Sequence, residues 1–304
     1  MTPSVSASCQ ELQLSGVQES LVTYSATISA CEKAGHWEAA LSILATLDKR
    51  RLLADIIAFN ASMSACEKGA QWQRAMCLMD HLHSCDIKAT AVTYNVAMSA
   101  CGRGGENWLQ VLALLQELLQ HHRATSITYN AAISACEIGD HWQIALVLLD
   151  DMLMQNLQPT LVTFNALLSA CGKGGRWKLI LDIVDRMGKA KIDPDAISYN
   201  TAICSFEMGE KWDMAMGFLF DAWNIQTPND GCLTFNAAMA VCVRSSCWQQ
   251  SLELLRMAKD LELPFNAVTH DLALKASVYG QQPLEATWIL RETRQHVLKK
   301  PEHD

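Results

Sequence analysis

The apolar positions of this chain fall on helical spacings that start, stop and start again. Within Ile127-Thr128-Tyr129-Asn130-Ala131-Ala132-Ile133-Ser134-Ala135-Cys136-Glu137, residues Tyr129, Ile133 and Cys136 stand at i, i+4 and i+7. That spacing lays one buried stripe along a helix. A break marked by Gly139 follows, and Trp142, Ala145, Leu146 and Leu149 then set a second stripe at i, i+3, i+4 and i+7. Trp37, Ala40, Leu41 and Leu44 repeat it, as do Trp72, Ala75, Met76 and Met79. Glycines 35, 69, 104, 139, 174 and 209 sit where the first helix is expected to stop. Pro159, Pro194 and Pro228 block helix after the second. Thr23, Thr93, Thr128, Thr163, Ser198 and Thr234 stand where a hydroxyl caps the first helix. Small residues at Ala30, Ala65, Ala100, Ala135 and Ala170 allow a neighbouring helix to approach closely.

The pattern recurs at a fixed step. An aromatic-polar pair falls at Tyr24-Ser25, Phe59-Asn60, Tyr94-Asn95, Tyr129-Asn130, Phe164-Asn165, Tyr199-Asn200 and Phe235-Asn236, every 35 residues except for one step of 36. Cys31, Cys66, Cys101, Cys136 and Cys171 keep the same step, and a tryptophan series follows it closely. With the aromatic as position 4, seven units run 21–55, 56–90, 91–125, 126–160, 161–195, 196–231 and 232–266. Each is predicted as an antiparallel helix pair that cannot bury both faces alone, so the pairs stack. The expected fold class is all-α, an α-solenoid of tandem two-helix repeats with a concave face. Residues 1–20 read as a disordered lead-in, and 267–304 as a divergent eighth unit, cap and tail, with Leu272, Leu274, Leu284, Trp288 and Leu290 still helical in spacing.

Composition narrows the function. No apolar run approaches the roughly 20 residues that span a bilayer. The cysteines at one per repeat read as reduced, buried small apolar residues of an intracellular protein, since stacked helices lie too far apart for a disulfide. The tryptophans, on the second-helix stripe, read as core. His121-His122 reads as a solvent-facing connector and Asp150-Asp151 as a wet helix end. No Cys-x-x-Cys cluster, glycine-rich phosphate loop or nucleophile elbow stands out, so neither metal, cofactor nor enzymatic activity is expected. The net charge of −8 argues against a nucleic-acid partner unless a groove is locally basic.

A 35-residue helix pair beginning Val-Thr-Tyr-Asn and ending Pro-Asp resembles the pentatricopeptide repeat family. Ala91-Val92-Thr93-Tyr94-Asn95, Val162-Thr163-Phe164-Asn165 and Asp193-Pro194-Asp195 carry the resemblance best. It implies a right-handed superhelix that binds single-stranded RNA, one base per repeat. The family reads bases with its fifth and last residues, here Ser25, Asn60, Asn95, Asn130, Asn165, Asn200 and Asn236 with Asp55, Thr90, Thr125, Thr160, Asp195, Asn229 (or Asp230) and Asn266. Its second residue packs on base planes: Val22, Ile57, Val92, Ile127, Val162, Ile197 and Leu233. Basic residues at position 13 face phosphates: Lys33, Lys68, Arg103, Lys173 and Arg244, with Ile138 and Met208 in the other two units. The family's pairing preferences imply a guanine followed by a pyrimidine run, with uracil opposite the fifth unit.

Each set has a plainer alternative. The amides would bond a neighbouring repeat, the aliphatic residues would pad the seam between repeats, and the basic residues would complement helix C-termini. The acidic total also keeps open a second class, a protein-binding scaffold of the tetratricopeptide type. The resemblance further implies organellar RNA processing, stability or translation, in a mitochondrion or chloroplast, with a recruited processing protein. The first 20 residues contain no Lys or Arg and show no clear transit signal.

Overall fold

A computed structural model describes residues 21–50, 54–104, 107–138, 140–173, 175–223, 228–261, 263 and 266–281. The expected lead-in, and Leu284, Trp288 and Leu290 of the tail, lie outside the described residues, as do the side chains of Asn229 and Asp230. Among the described residues every regular element is a helix. The chain divides into two compact units, 1–158 and 159–304.

The first unit holds α1 (Leu21–Ala34), α2 (Trp37–Lys49), α3 (Ile56–Lys68), α4 (Trp72–Ser84), α5 (Ala91–Arg103), α6 (Trp108–His121), α7 (Ser126–Ile138) and α8 (Trp142–Met154). Odd-numbered helices pack on one another in succession, and each also packs on the second helix of its own pair. The second unit holds α9 (Leu161–Gly172), α10 (Trp177–Lys189), α11 (Ala196–Met208), α12 (Trp212–Trp223), α13 (Pro228–Arg244), α14 (Trp248–Asp260) and α15 (Ala267–Tyr279), built in the same way.

The first-helix stripe forms the core of each pair. Tyr129, Ile133 and Cys136 are buried, as are Phe59, Met63 and Cys66 in α3 and Phe164, Leu168 and Cys171 in α9. Burying one such large apolar side chain stabilises by roughly 1.5–3 kcal/mol. Ala65, Ala100, Ala135 and Ala170 are buried where successive first helices touch. The approach is close: a Cβ on Gly102 would sit 3.3 Å from the Cβ of Ala135.

Two local devices differ from the sequence expectation. The position-3 hydroxyls are not the N-caps. The cap is the residue that closes the preceding unit: Asp55, Thr90, Thr160, Asp195 and Asn266 have extended backbone and accept the amide of the residue three positions on. Thr125 accepts from the Thr128 amide in the same way. Thr93, Thr128, Thr163, Ser198 and Thr269 complete the exchange, each hydroxyl receiving the cap residue's own backbone N–H. Two orphan donors per helix are thereby satisfied.

The glycine marks also have another cause. Gly69, Gly104 and Gly209 have ordinary negative φ of −83°, −76° and −92°. After Gly69 and Gly209 the left-handed residue is the next one, Ala70 or Glu210. What these sites require is the absence of a side chain. A Cβ on Gly69 would lie 2.2 Å from Trp37 Cδ1, one on Gly104 2.2 Å from Trp72 Cδ1, and one on Gly209 2.5 Å from Trp177 Cδ1. Each tryptophan reaches forward onto the next pair's first helix. The tryptophans are accordingly half-buried seam residues rather than full core. The eighth unit keeps the device, with Gly280 against Trp248.

Candidate nucleic-acid interface

At 100° per residue, positions 2, 5, 9, 12 and 13 of each first helix share an arc of about 100°, turned away from the stripe at 4, 8 and 11. Five rows result, and each unit carries its own stretch of them.

The first row is aliphatic and open to solvent. Val22, Ile57, Val92 and Ile127 in the first unit are 75, 60, 58 and 68 % exposed, and Val162, Ile197 and Leu233 in the second 60, 63 and 61 %. They do not fill the seam between repeats. Val268 extends the row onto α15 at 55 %. Its signal was the Val-Thr preceding His270-Asp271, the worn copy of the Val-Thr-Tyr-Asn start.

One turn on stand the fifth residues. Ser25, Asn60, Asn95 and Asn130, and Asn165 and Asn200 in the second unit, are half-buried; Asn236 is buried. They meet the caps. Ser25 Oγ donates to Asp55 Oδ1 at 3.5 Å. Asn165 Nδ2 donates to Asp195 Oδ1 at 3.2 Å, and Asn236 Nδ2 to Asn266 Oδ1 at 3.3 Å. The position-3 hydroxyl behind the cap shares its one proton between amide and cap: Ser198 Oγ lies 2.5 Å from Asn165 Oδ1 and 2.8 Å from Asp195 Oδ1, and Thr269 Oγ1 lies 2.8 Å from Asn236 Oδ1 and 3.0 Å from Asn266 Oδ1. Burial pushes the Asp195 carboxyl up, but bonds from the Ser198 amide and hydroxyl and from Asn165 outweigh it and hold the group below its ordinary value. At neutral pH it is a carboxylate that only accepts.

At Asn60 and Asn95, whose caps are Thr90 and Thr125, the amide oxygen is not clamped in this way. Thr93 Oγ1 pairs with Thr90 Oγ1 at 3.0 Å, and the buried Oδ1 atoms of Asn60 and Asn95 have no hydrogen-bond partner. Thr90, Thr125 and Thr160 are themselves exposed. The family resemblance pairs fifth and closing residues in reading one base but does not show that the two form one bonded set.

The last two rows interlock. Lys68 Nζ lies 3.3 Å from Glu32 Oε1, Arg103 Nε 3.4 Å from Glu67 Oε1, and Arg244 Nε 3.2 Å from Glu207 Oε1. Ser64 and Ser99, at position 9, donate to Glu32 and Glu67 at 3.0 and 2.9 Å. The position-12 glutamates were not anticipated, although Glu32, Glu67, Glu137 and Glu207 are in register in the sequence. Lys33 and Lys173 are exposed, as are Ile138 and Met208.

Comparison with known proteins decides the family. A model described as a pentatricopeptide repeat domain matches residues 9–69 and 147–206, and one described as a PPR repeat matches 127–157. Among solved structures, the pentatricopeptide repeat protein PPR10 in complex with an 18-nucleotide psaJ RNA element superposes with a TM-score of 0.80 at 18 % identity, over 98 % of this chain and 44 % of that one. PPR10 from maize gives 0.66 at 21 % identity, over 97 % and 47 %. No curated protein sequence matches. The chain belongs to the pentatricopeptide repeat family. It spans less than half the length of these PPR10 structures, and the likeness shows the family's all-α solenoid fold.

In this pentatricopeptide repeat chain several further polar side chains have structural partners. His122 is not a solvent-facing connector residue: it is half-buried, with Nε2 2.9 Å from the Ala89 carbonyl oxygen, while His121 ends α6 exposed. Asp151 is likewise held, accepting the Tyr129 hydroxyl, as Glu117 accepts that of Tyr94 at 2.9 Å. The cysteines at position 11 are buried as expected, but Cys77, Cys85 and Cys204 are exposed. Among the described residues no His, Cys, Asp and Glu cluster could hold a metal ion, and no helix is long and apolar enough to cross a membrane.

Proposed function

We propose that this chain binds single-stranded RNA, one nucleotide per helix pair, along the first-helix face of each unit. The observation that carries the reading is the aliphatic row. Seven branched apolar side chains stand 58–75 % exposed at one place in every pair, each one turn from an amide or hydroxyl. Exposed apolar surface repeated in register beside hydrogen-bonding groups suits a flat base with a polar edge. PPR10, solved with an RNA element, supports the same partner class.

The family's pairing preferences imply the order and the strand direction, and the slot chemistry is compatible with that order. Asp195 Oδ2 accepts beside the Asn165 Nδ2 donor, a pair complementary to the N3–H and a carbonyl of uracil. Ser25 with Asp55 suits the N1–H and amino group of guanine. The asparagine slots closed by threonine or asparagine take pyrimidines. The reading is guanine, then a pyrimidine run with uracil fifth, the amino end facing the RNA 5′ end. In this reading the chain binds and performs no chemistry itself. It serves RNA processing, stability or translation in a mitochondrion or chloroplast, through a recruited protein. Crosslinking and sequencing of bound RNA names the transcript.

The test is affinity for that seven-base oligonucleotide against its purine-swapped partner. Equal affinities overturn the base assignment. Ile57→Ser with Val92→Ser is expected to weaken binding about fivefold per slot, roughly 1 kcal/mol for half an aliphatic side chain, with little change in folding because both are exposed. A protein-binding scaffold draws on one observation, the carboxylate partners of Lys68, Arg103 and Arg244. Capture of a basic peptide with no RNA retention would favour it.

A further inference from the structure

We infer that Glu32, Glu67 and Glu207 set the RNA affinity of this array, each holding a cation that a phosphate would otherwise take. The inference rests on the RNA reading above. The family resemblance points to the cations alone, but the structure shows that Lys68, Arg103 and Arg244 are already engaged. Glu32 Oε1 lies 3.3 Å from Lys68 Nζ, and the same ammonium donates to the Glu32 carbonyl oxygen at 3.1 Å. Glu67 and Glu207 hold the guanidinium groups of Arg103 and Arg244 at 3.4 and 3.2 Å.

The arrangement is built rather than incidental. Each carboxylate sits at position 12 of one pair and each cation at position 13 of the next. In two of the three cases a position-9 serine of the following helix, Ser64 or Ser99, fixes the carboxylate. The glutamates are less exposed than their partners: side-chain exposure is 27 % for Glu32 against 41 % for Lys68, 15 % for Glu67 against 62 % for Arg103, and 32 % for Glu207 against 52 % for Arg244. The fixed member of each pair is therefore the acid, and the cation is the arm that swings.

Two consequences follow for a bound strand. A phosphate approaching Lys68, Arg103 or Arg244 meets a near-neutral pair, so it must displace the carboxylate and then lie beside it. Fewer counterions are released as well, because the paired cation was already compensated. Charge spent between repeats thus lowers both affinity and its salt dependence.

The experiment compares the wild-type chain with the E32Q/E67Q/E207Q variant on the seven-base oligonucleotide across a salt series. Glutamine keeps an acceptor for Ser64 and Ser99 and removes only the charge. Exposed ion pairs are weak, so the expected gain is roughly two- to threefold per site, about tenfold for three. The slope of log affinity against log salt should steepen by up to about 2, at about 0.7 for each single-strand phosphate contact. The single variant E67Q should show about a third of both effects, which keeps the test alive should the triple variant unfold. Unchanged or weaker binding with an unchanged slope overturns the inference while leaving RNA binding intact. If neither the wild type nor a variant retains the oligonucleotide, the RNA reading itself falls, and this inference with it.

Discussion

Gly104→Ala tests what the repeated glycines are for. Gly104 closes α5 with φ of −76°, a conformation alanine adopts freely. If the site needed only a helix end, alanine would stabilise the chain by about 0.4–1 kcal/mol, by lowering the entropy of the unfolded state. The structure argues the reverse sign. The added Cβ would lie 2.2 Å from Trp72 Cδ1, 2.6 Å from Cγ and 2.9 Å from Cβ. The last contact is to the root of the tryptophan side chain, which no rotamer change moves. Forcing a methyl group into a packed seam costs typically about 1–3 kcal/mol, so a net loss of roughly 1–2 kcal/mol is expected. With a urea m-value of about 2 kcal/mol/M, this lowers the midpoint by roughly 0.5–1 M. In a Trp72→Ala background the ring contacts at 2.2 and 2.6 Å are gone and only the 2.9 Å contact to Cβ remains, so Gly104→Ala should cost much less, a coupling that a double-mutant cycle reads directly. Gly188→Ala is the control: that glycine lies in α10 with nothing within 4 Å of its would-be Cβ, and alanine should stabilise by about 0.5–1 kcal/mol. The packing account fails if Gly104→Ala is harmless in the wild type, or equally harmful without Trp72.

Two other measurements probe the caps and the thiols. Asp195→Ala removes the cap of α11 and should cost about 1 kcal/mol at neutral pH. The folded-state carboxyl is held below its ordinary value, so its contribution is complete above the unfolded value of about 3.9 and lost as pH falls through the folded one; the difference between variant and wild-type stability should shrink below pH 4, and a constant difference would refute the charge-based account. Burial pushes the thiols of Cys66 and Cys101 up to about 11 and that of Cys242 to about 12, so in the native chain a maleimide at pH 7.5 should modify the exposed Cys77 and Cys85 and reach those three only in denaturant, as peptide mapping would show.

The helix pairs were legible because periodicity reports on burial directly. Tyr129, Ile133 and Cys136 had to share a face, and they do. The cap was misplaced by three residues because both partners in the exchange are hydroxyl or amide residues of the same kind. Thr90 and Thr93 are each competent caps, and only the extended backbone of Thr90 marks it as the one outside the helix. The glycine–tryptophan seam was hidden for a different reason: Trp72 and Gly104 are 32 residues apart, and single-helix spacing says nothing about which side chain crosses to the next pair. The glutamate row was missed because a carboxylate late in a helix reads as ordinary surface until its partner, one repeat on, is found within 3.4 Å.

The bonded sets also change what the sequence alternatives meant. A structural amide and a base-reading amide were posed as rivals for position 5, yet the geometry at Asn165 is compatible with both. Its Oδ1 is tied to Ser198 and its Nδ2 to Asp195, so the neighbouring cap fixes the rotamer, while Asp195 is held as an acceptor. A side chain fixed in this way loses less entropy on meeting a ligand than a free one. Asn60 and Asn95 lack that support, because Thr93 and Thr128 turn their hydroxyls to threonine caps. The closing residue therefore acts twice, once as the end of a helix and once as the residue that decides how firmly the preceding amide is aimed. On that argument, exchanging Thr90 for Asp should stiffen the Asn60 slot into the Asn165 arrangement, with Thr93 free to serve the amide as Ser198 does.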